Sequence, residues 1–158
     1  MRIENGNDYI DLDFLRYATD DRFPASGLSD EDNCVKIGFI FNMESVGRGI
    51  TGEEYFTTRD IAAMATGFSR IRYGTAQEFT LSGRYPHVNA GEKPFYTVDV
   101  RREGDLIRFS FTVYDGVSDD ITVTERMSPA RFEEIAEEFR KTAKLYPVRG
   151  KQNGQDGV

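Results

Sequence analysis

The sequence predicts an α+β domain: a two-layer sandwich in which two amphipathic helices cover one face of a mostly antiparallel six-stranded sheet, in the order ββ-α-ββββ-α. Three observations predict it. Six segments alternate apolar and polar residues with period two, and two others carry apolar residues at helical spacing. The connections between the later strands are too short for parallel crossovers. Length and composition agree, since 158 residues with 39% apolar and 30% charged side chains suffice for one hydrophobic core. We expect a single domain over 1–147 and a flexible tail over 148–158, where Gly, Gln, Asn and Lys leave little to bury.

The first strand spans 9–17, where Ile10, Leu12 and Phe14 alternate with Asp11 and Asp13. A loop rich in Asp, Ser, Gly and Pro follows over 20–33. Val35, Ile37, Phe39, Phe41 and Met43 then alternate cleanly, giving a strand over 34–44. The spacing of Ile61, Met64, Ala65, Phe68 and Ile71 predicts a helix over 59–73. Thr57 with Asp60 three residues on marks its start, because the hydroxyl can accept an orphan amide and the carboxylate faces the positive end of the helix. Gly74 suits its C-terminal cap.

Four strands come next, over 77–85, 95–102, 106–114 and around Ile121 and Val123. Glu103-Gly104-Asp105 reads as the hairpin turn between the second and third of them. The last helix opens with Ser128 as N-cap and Pro129 at a position whose amide would be unpaired in any case. Phe132, Ile135, Ala136, Phe139 and Ala143 form its buried stripe, and Tyr146-Pro147 ends it. Glutamates crowd its first half and Arg140, Lys141 and Lys144 its second, which complements the macrodipole.

No residue pattern discloses a reaction. Gly47-Arg48-Gly49-Ile50-Thr51-Gly52 is a literal GxGxxG, but Glu53 and Glu54 follow it where a phosphate would sit, and the sheet is not a parallel βαβ unit. It reads as a flexible connection. His87, in the loop Pro86 to Pro94, is the one conventional imidazole base, and it reads first as an exposed loop histidine. One cysteine, Cys34, allows no internal disulfide and reads as a small buried thiol. Acidic pairs in loops do not match calcium-loop spacing, so no metal or other cofactor is expected. The balance of 20 Lys plus Arg against 27 Asp plus Glu leaves a net charge of −7, which argues against nucleic acid as a partner. No apolar run is long enough for a membrane span, and the first residues do not resemble a signal peptide, so a cytoplasmic location is expected.

The order of elements carries a resemblance. An acidic loop ending in Asp32-Asn33, the strand Val35 to Met43, a glycine-bearing turn and Tyr55-Phe56-Thr57-Thr58-Arg59-Asp60-Ile61 opening a helix resemble the WapI-like immunity proteins of bacterial contact-dependent toxin systems and their uncharacterised relatives. Phe79-Thr80-Leu81-Ser82-Gly83, Tyr96 to Val100, the hairpin at Gly104 and Phe109 to Val113 continue it, so the resemblance spans residues 8 to 146. Cys34 stands where a tryptophan is expected, and Met127-Ser128-Pro129 replaces a polar approach to the last helix. The resemblance implies a non-enzymatic protein that occludes a cognate, basic toxin domain. The acidic loops Asp30, Glu31, Asp32 and Glu53, Glu54 would steer it in, with Arg101 and Arg108 on the open sheet adding contacts. The alternatives are a small-molecule site or small enzyme built around His87, and a self-associating module.

Overall fold

The computed structural model describes residues 1–17, 33–83, 94–114 and 120–149. The chain forms β1 (Arg2–Asn5), β2 (Asp8–Tyr17), β3 (Cys34–Met43), β4 (Arg48–Thr57), α1 (Thr58–Arg72), β5 (Glu78–Gly83), β6 (Tyr96–Glu103), β7 (Leu106–Val113), β8 (Ile121–Met127) and α2 (Pro129–Leu145). The expected single six-stranded sheet is therefore corrected. There are two four-stranded sheets, β1-β2-β3-β4 and β5-β6-β7-β8, each an antiparallel meander in chain order followed by a helix.

Two strands account for the difference. β1 has four residues, of which Ile3 alone is buried, too few for alternation to register. β4 contains the glycine-rich stretch that reads as a flexible connection. Gly47, at φ +64°, closes a tight turn after a short 3-10 segment, Glu44–Val46. From there β4 pairs with β3 in unbroken register, from Met43 opposite Arg48 to Cys34 opposite Thr57. It is an edge strand, so its inward positions Ile50, Gly52 and Glu54 escape full burial and the periodic signal vanishes. The GxGxxG motif is strand and turn, not a phosphate cradle.

α1 begins directly where β4 ends, and the four strands after it form the second sheet. Thr57 caps it, its hydroxyl accepting from the Asp60 amide at 3.0 Å. The Asp60 carboxyl accepts from the Tyr96 hydroxyl at 3.0 Å. Burial raises that carboxyl above its usual range, and the bonds from Tyr96 and Thr57 partly oppose the rise. Ser128 caps α2 by accepting from the Arg131 amide at 3.2 Å.

The two sheets and the helix pair enclose one core. Phe68 of α1 sits at its centre, with ring centroids 5.5 Å from Phe79, 5.4 Å from Phe109, 5.7 Å from Phe132 and 5.1 Å from Phe139. Phe56, from β4, reaches across to Tyr96 at 4.4 Å and so ties the first sheet to the second. The edges β1 and β8 meet at a corner, where the Glu4 amide donates to Glu125 at 3.0 Å and Arg131 donates to the Arg2 carbonyl at 2.6 Å. Past α2 the chain is still fastened: the Tyr17 hydroxyl donates to the Pro147 carbonyl at 2.7 Å.

Candidate functional site

Of the residues expected to meet a partner, those that the structure describes do not converge. Asp30, Glu31, Asp32 and His87 lie outside the described residues. Glu53 and Glu54 are neighbours on β4 and so point to opposite faces of the first sheet. Glu53 pairs with Lys36 at 2.5 Å, while the Glu54 carboxyl is partly desolvated and its pKa raised by that burial. Arg101 and Arg108 face each other across β6 and β7, on the open face of the second sheet. Neither offers free positive charge. Arg101 pairs with Glu78 at 3.1 Å, and Arg108 with Asp99 at 2.7 Å and Glu103 at 3.3 Å. The same face carries Arg126, paired with Glu103 at 2.9 Å, and hydroxyls bonded to one another, including Ser110 to Thr124 and Thr112 to Thr122, both at 2.8 Å.

A different cluster has the chemistry of a binding surface. Thr66, Ser69, Arg70 and Tyr73 follow one another at helical spacing, beside the apolar stripe of α1 rather than within it. They and Thr75 line a shallow groove whose far wall is Arg140 of α2. Tyr73 is 69% exposed, a large aromatic left in solvent at the helix end. The Arg72 guanidinium lies over its ring, 5.0 Å from the centroid. Such a ring is a stacking platform with a cation behind it.

The electrostatics of the groove are locally positive in an acidic protein. Arg70 makes no ion pair among the described residues. Arg140 is held by Glu137 through two bonds, 2.7 Å from Nε and 2.5 Å from Nη2. Those bonds lower the Glu137 pKa and raise that of Arg140. Arg72 pairs with Glu133, and Lys141 stands 4.0 Å from Glu137. Arg70 and Arg140 thus line the groove itself, with Arg72 and Lys141 beside it on the two helices. The hydroxyls of Thr66, Ser69 and Thr75 donate to the carbonyls of Ala62, Ala65 and Arg70 at 2.9, 2.8 and 3.1 Å, which leaves their lone pairs as acceptors toward the groove. Phosphates, unstacked bases and sugar hydroxyls are the ligands that such a set suits.

Sequence reasoning missed this cluster because it depends on two helices meeting. Its one signal was the polar stripe Thr66, Ser69, Arg70 and Tyr73 running parallel to the apolar one. Among the described residues no group of three or more His, Cys, Asp or Glu could hold a metal ion, and no helix is long and apolar enough to cross a membrane.

No family model and no curated protein matches the chain. Among solved structures, the chain is similar to that of the plant transcriptional regulator PBF-2, with a TM-score of 0.50 over 92% of this chain and 80% of that one, at 12% identity. The crystal structures of WHY1 and WHY3 from Arabidopsis thaliana each give a TM-score of 0.47 over 92% of this chain at 13% identity, covering 88% and 86% of theirs. At 12% identity, what the chain shares with PBF-2 is the fold. This overturns what the family resemblance implied. The solved structure whose fold the chain shares is that of a protein described as a plant transcriptional regulator, and on that finding the expected immunity function, the basic toxin partner and the exclusion of nucleic acid are corrected together.

Proposed function

We propose that this chain binds single-stranded nucleic acid in a regulatory role, through the groove between the C-terminal end of α1 and α2. The observation that carries the proposal is the exposed Tyr73 ring, backed by Arg72 and flanked by Arg70 and Arg140. Stacking on an aromatic needs a base that is free of its own stack, which favours single strands over duplex. The cations supply phosphate contacts whose strength falls with salt. The likeness of the fold to that of a transcriptional regulator supports a nucleic-acid partner. Net charge does not oppose it, because phosphate meets the local field of the groove within about one Debye length, roughly 10 Å at 0.1 M salt. We place the activity in the cytoplasm, where the buried thiol of Cys34 stays reduced.

Fluorescence anisotropy with a labelled fifteen-nucleotide oligo-dT and a duplex of the same length tests the reading. The single strand should bind more tightly than the duplex. With three phosphate contacts, from Arg70, Arg72 and Arg140, the log–log salt slope should be about −2, from roughly −0.7 per contact. Tyr73→Ala should weaken binding about tenfold, the loss of one stacked base. Equal affinity for duplex, or a Tyr73→Ala variant that binds as the parent does, would overturn the proposal.

A further inference from the structure

Resting on the reading just given, we propose that Arg102 is the positioning residue of the groove: its guanidinium fixes the last turn of α1, and through it the Tyr73 ring. A helix C-terminus leaves its final carbonyls without intrahelical partners, and an unfastened last turn frays. Here every one of them is accounted for. The Tyr73 amide donates to the Ser69 carbonyl at 3.0 Å, and the Arg70 carbonyl accepts from the amides of Thr75 and Ala76 at 2.9 and 3.1 Å. The Gly74 amide donates to the Ile71 carbonyl at 3.1 Å. The one remaining acceptor, the Arg72 carbonyl, and the second lone pair of the Ile71 carbonyl are closed by one side chain from another element. Arg102 donates from Nε to the Ile71 carbonyl at 3.0 Å and from Nη2 to the Arg72 carbonyl at 3.2 Å.

The second of these bonds matters most for Tyr73. The Arg72 carbonyl belongs to the peptide unit that leads into Tyr73, so pinning its oxygen fixes the plane from which the ring projects. Arg102 is itself well anchored, since its amide donates to the Gln77 carbonyl at 2.8 Å and its side chain is half-buried. Arg101, the next residue back, points to the open face and pairs with Glu78. The two adjacent arginines of β6 therefore have separate jobs, and the inward one touches no groove surface.

The two carbonyls that Arg102 covers also carry the negative end of the α1 dipole. A phosphate arriving at Arg70 and Arg72 meets that end already occupied by a guanidinium. A guanidinium does this for two acceptors at once and brings a positive charge to the dipole's negative end, which a neutral amide cannot do.

A double-mutant cycle tests the inference, with oligo-dT anisotropy as readout and far-UV circular dichroism to establish folding at the assay temperature. The variants are Arg102→Gln and Tyr73→Ala, alone and combined, with Arg102→Lys as the conservative replacement. If Arg102 acts through Tyr73, Arg102→Gln weakens binding roughly fivefold, and the double variant is within about twofold of Tyr73→Ala alone. Arg102→Lys, which keeps the charge but not the planar two-pronged fork, should recover part of the loss. A merely structural role lowers the melting temperature without this pattern of coupling and rescue. Multiplicative losses in the double variant, or Arg102→Gln binding as the parent does, would overturn the inference and leave the groove standing. A parent protein that does not bind the oligonucleotide would instead overturn the function from which it starts.

Discussion

Gly67 shows how a single hydrogen atom can outweigh a propensity. It lies inside α1, where alanine is ordinarily better by about 1 kcal/mol. A Cβ placed there would stand 2.1 Å from Cδ2 of Phe79, far inside van der Waals contact. Phe79 cannot simply withdraw, because its ring is packed edge-on against Phe68 at 5.5 Å. The overpacking cost of roughly 1–3 kcal/mol should therefore win. Gly67→Ala should lower the urea midpoint despite its better helix propensity, and Phe79→Leu in the same chain should restore most of the loss by vacating the space. A Gly67→Ala protein as stable as the parent would mean that the α1–β5 contact is looser than the ring positions indicate. Gly83 repeats the arrangement four residues beyond Phe79 along β5, on the same core-facing side of the second sheet, where a Cβ would meet the Tyr96 ring at 2.0 Å. Both glycines are required by close approach of a ring rather than by backbone conformation.

At the level of elements, the helix pair sets the strength of the groove as well as its shape. Glu133 and Glu137 of α2 hold Arg72 and Arg140, so an incoming phosphate must displace or share these carboxylates. Exposed pairs of this kind are worth about 0.2–1 kcal/mol. Glu133→Gln and Glu137→Gln should each tighten oligo-dT binding roughly two- to fivefold at 50 mM salt, and the gain should fade as salt rises. A loss of affinity in Glu137→Gln would show instead that this glutamate orients Arg140 for the ligand. Much of this level was readable in advance. The caps Thr57 and Ser128, the apolar stripes of both helices and the strong alternation of β3 and β7 are local signals, and local signals survive in a single sequence. β4 was not readable, because an edge strand with glycines at 49 and 52 keeps its register through β3 and through no pattern of its own. The groove was hidden for a related reason. Arg70 and Tyr73 come together with Arg140 only when two helices nearly seventy positions apart in sequence pack, and a polar stripe on one helix does not say what faces it. Alternation puts Arg101 and Arg108 on one face of the sheet, but says nothing of their carboxylate partners, which come from neighbouring strands.

At the scale of the whole molecule, the two ββββα halves look like separable units and are not. Each half lends the other what it lacks. Phe68, from the helix of the first half, is in ring contact with Phe79 and Phe109 of the second sheet, and with Phe132 and Phe139 of the second helix. In return Phe139 meets Phe14 of the first sheet at 5.5 Å, and Phe56 meets Tyr96 across the gap between sheets. The corner bonds from Glu4 to Glu125 and from Arg131 to Arg2 add a polar seam at the far edge. A half expressed alone would expose this shared aromatic surface and lose the covering that keeps it dry. Unfolding should therefore be a single transition, with tyrosine fluorescence and far-UV circular dichroism giving the same urea midpoint. Phe68→Ala removes a fully buried ring at the junction and should cost about 3–5 kcal/mol, a large share of the roughly 5–15 kcal/mol typical of a domain. Because the ring belongs to both halves, the loss should shift both probes together and leave the transition single. Two midpoints in the parent, or a Phe68→Ala variant in which one probe moves and the other stays, would mean that each sheet folds with its own helix and that the groove joins two independently stable parts.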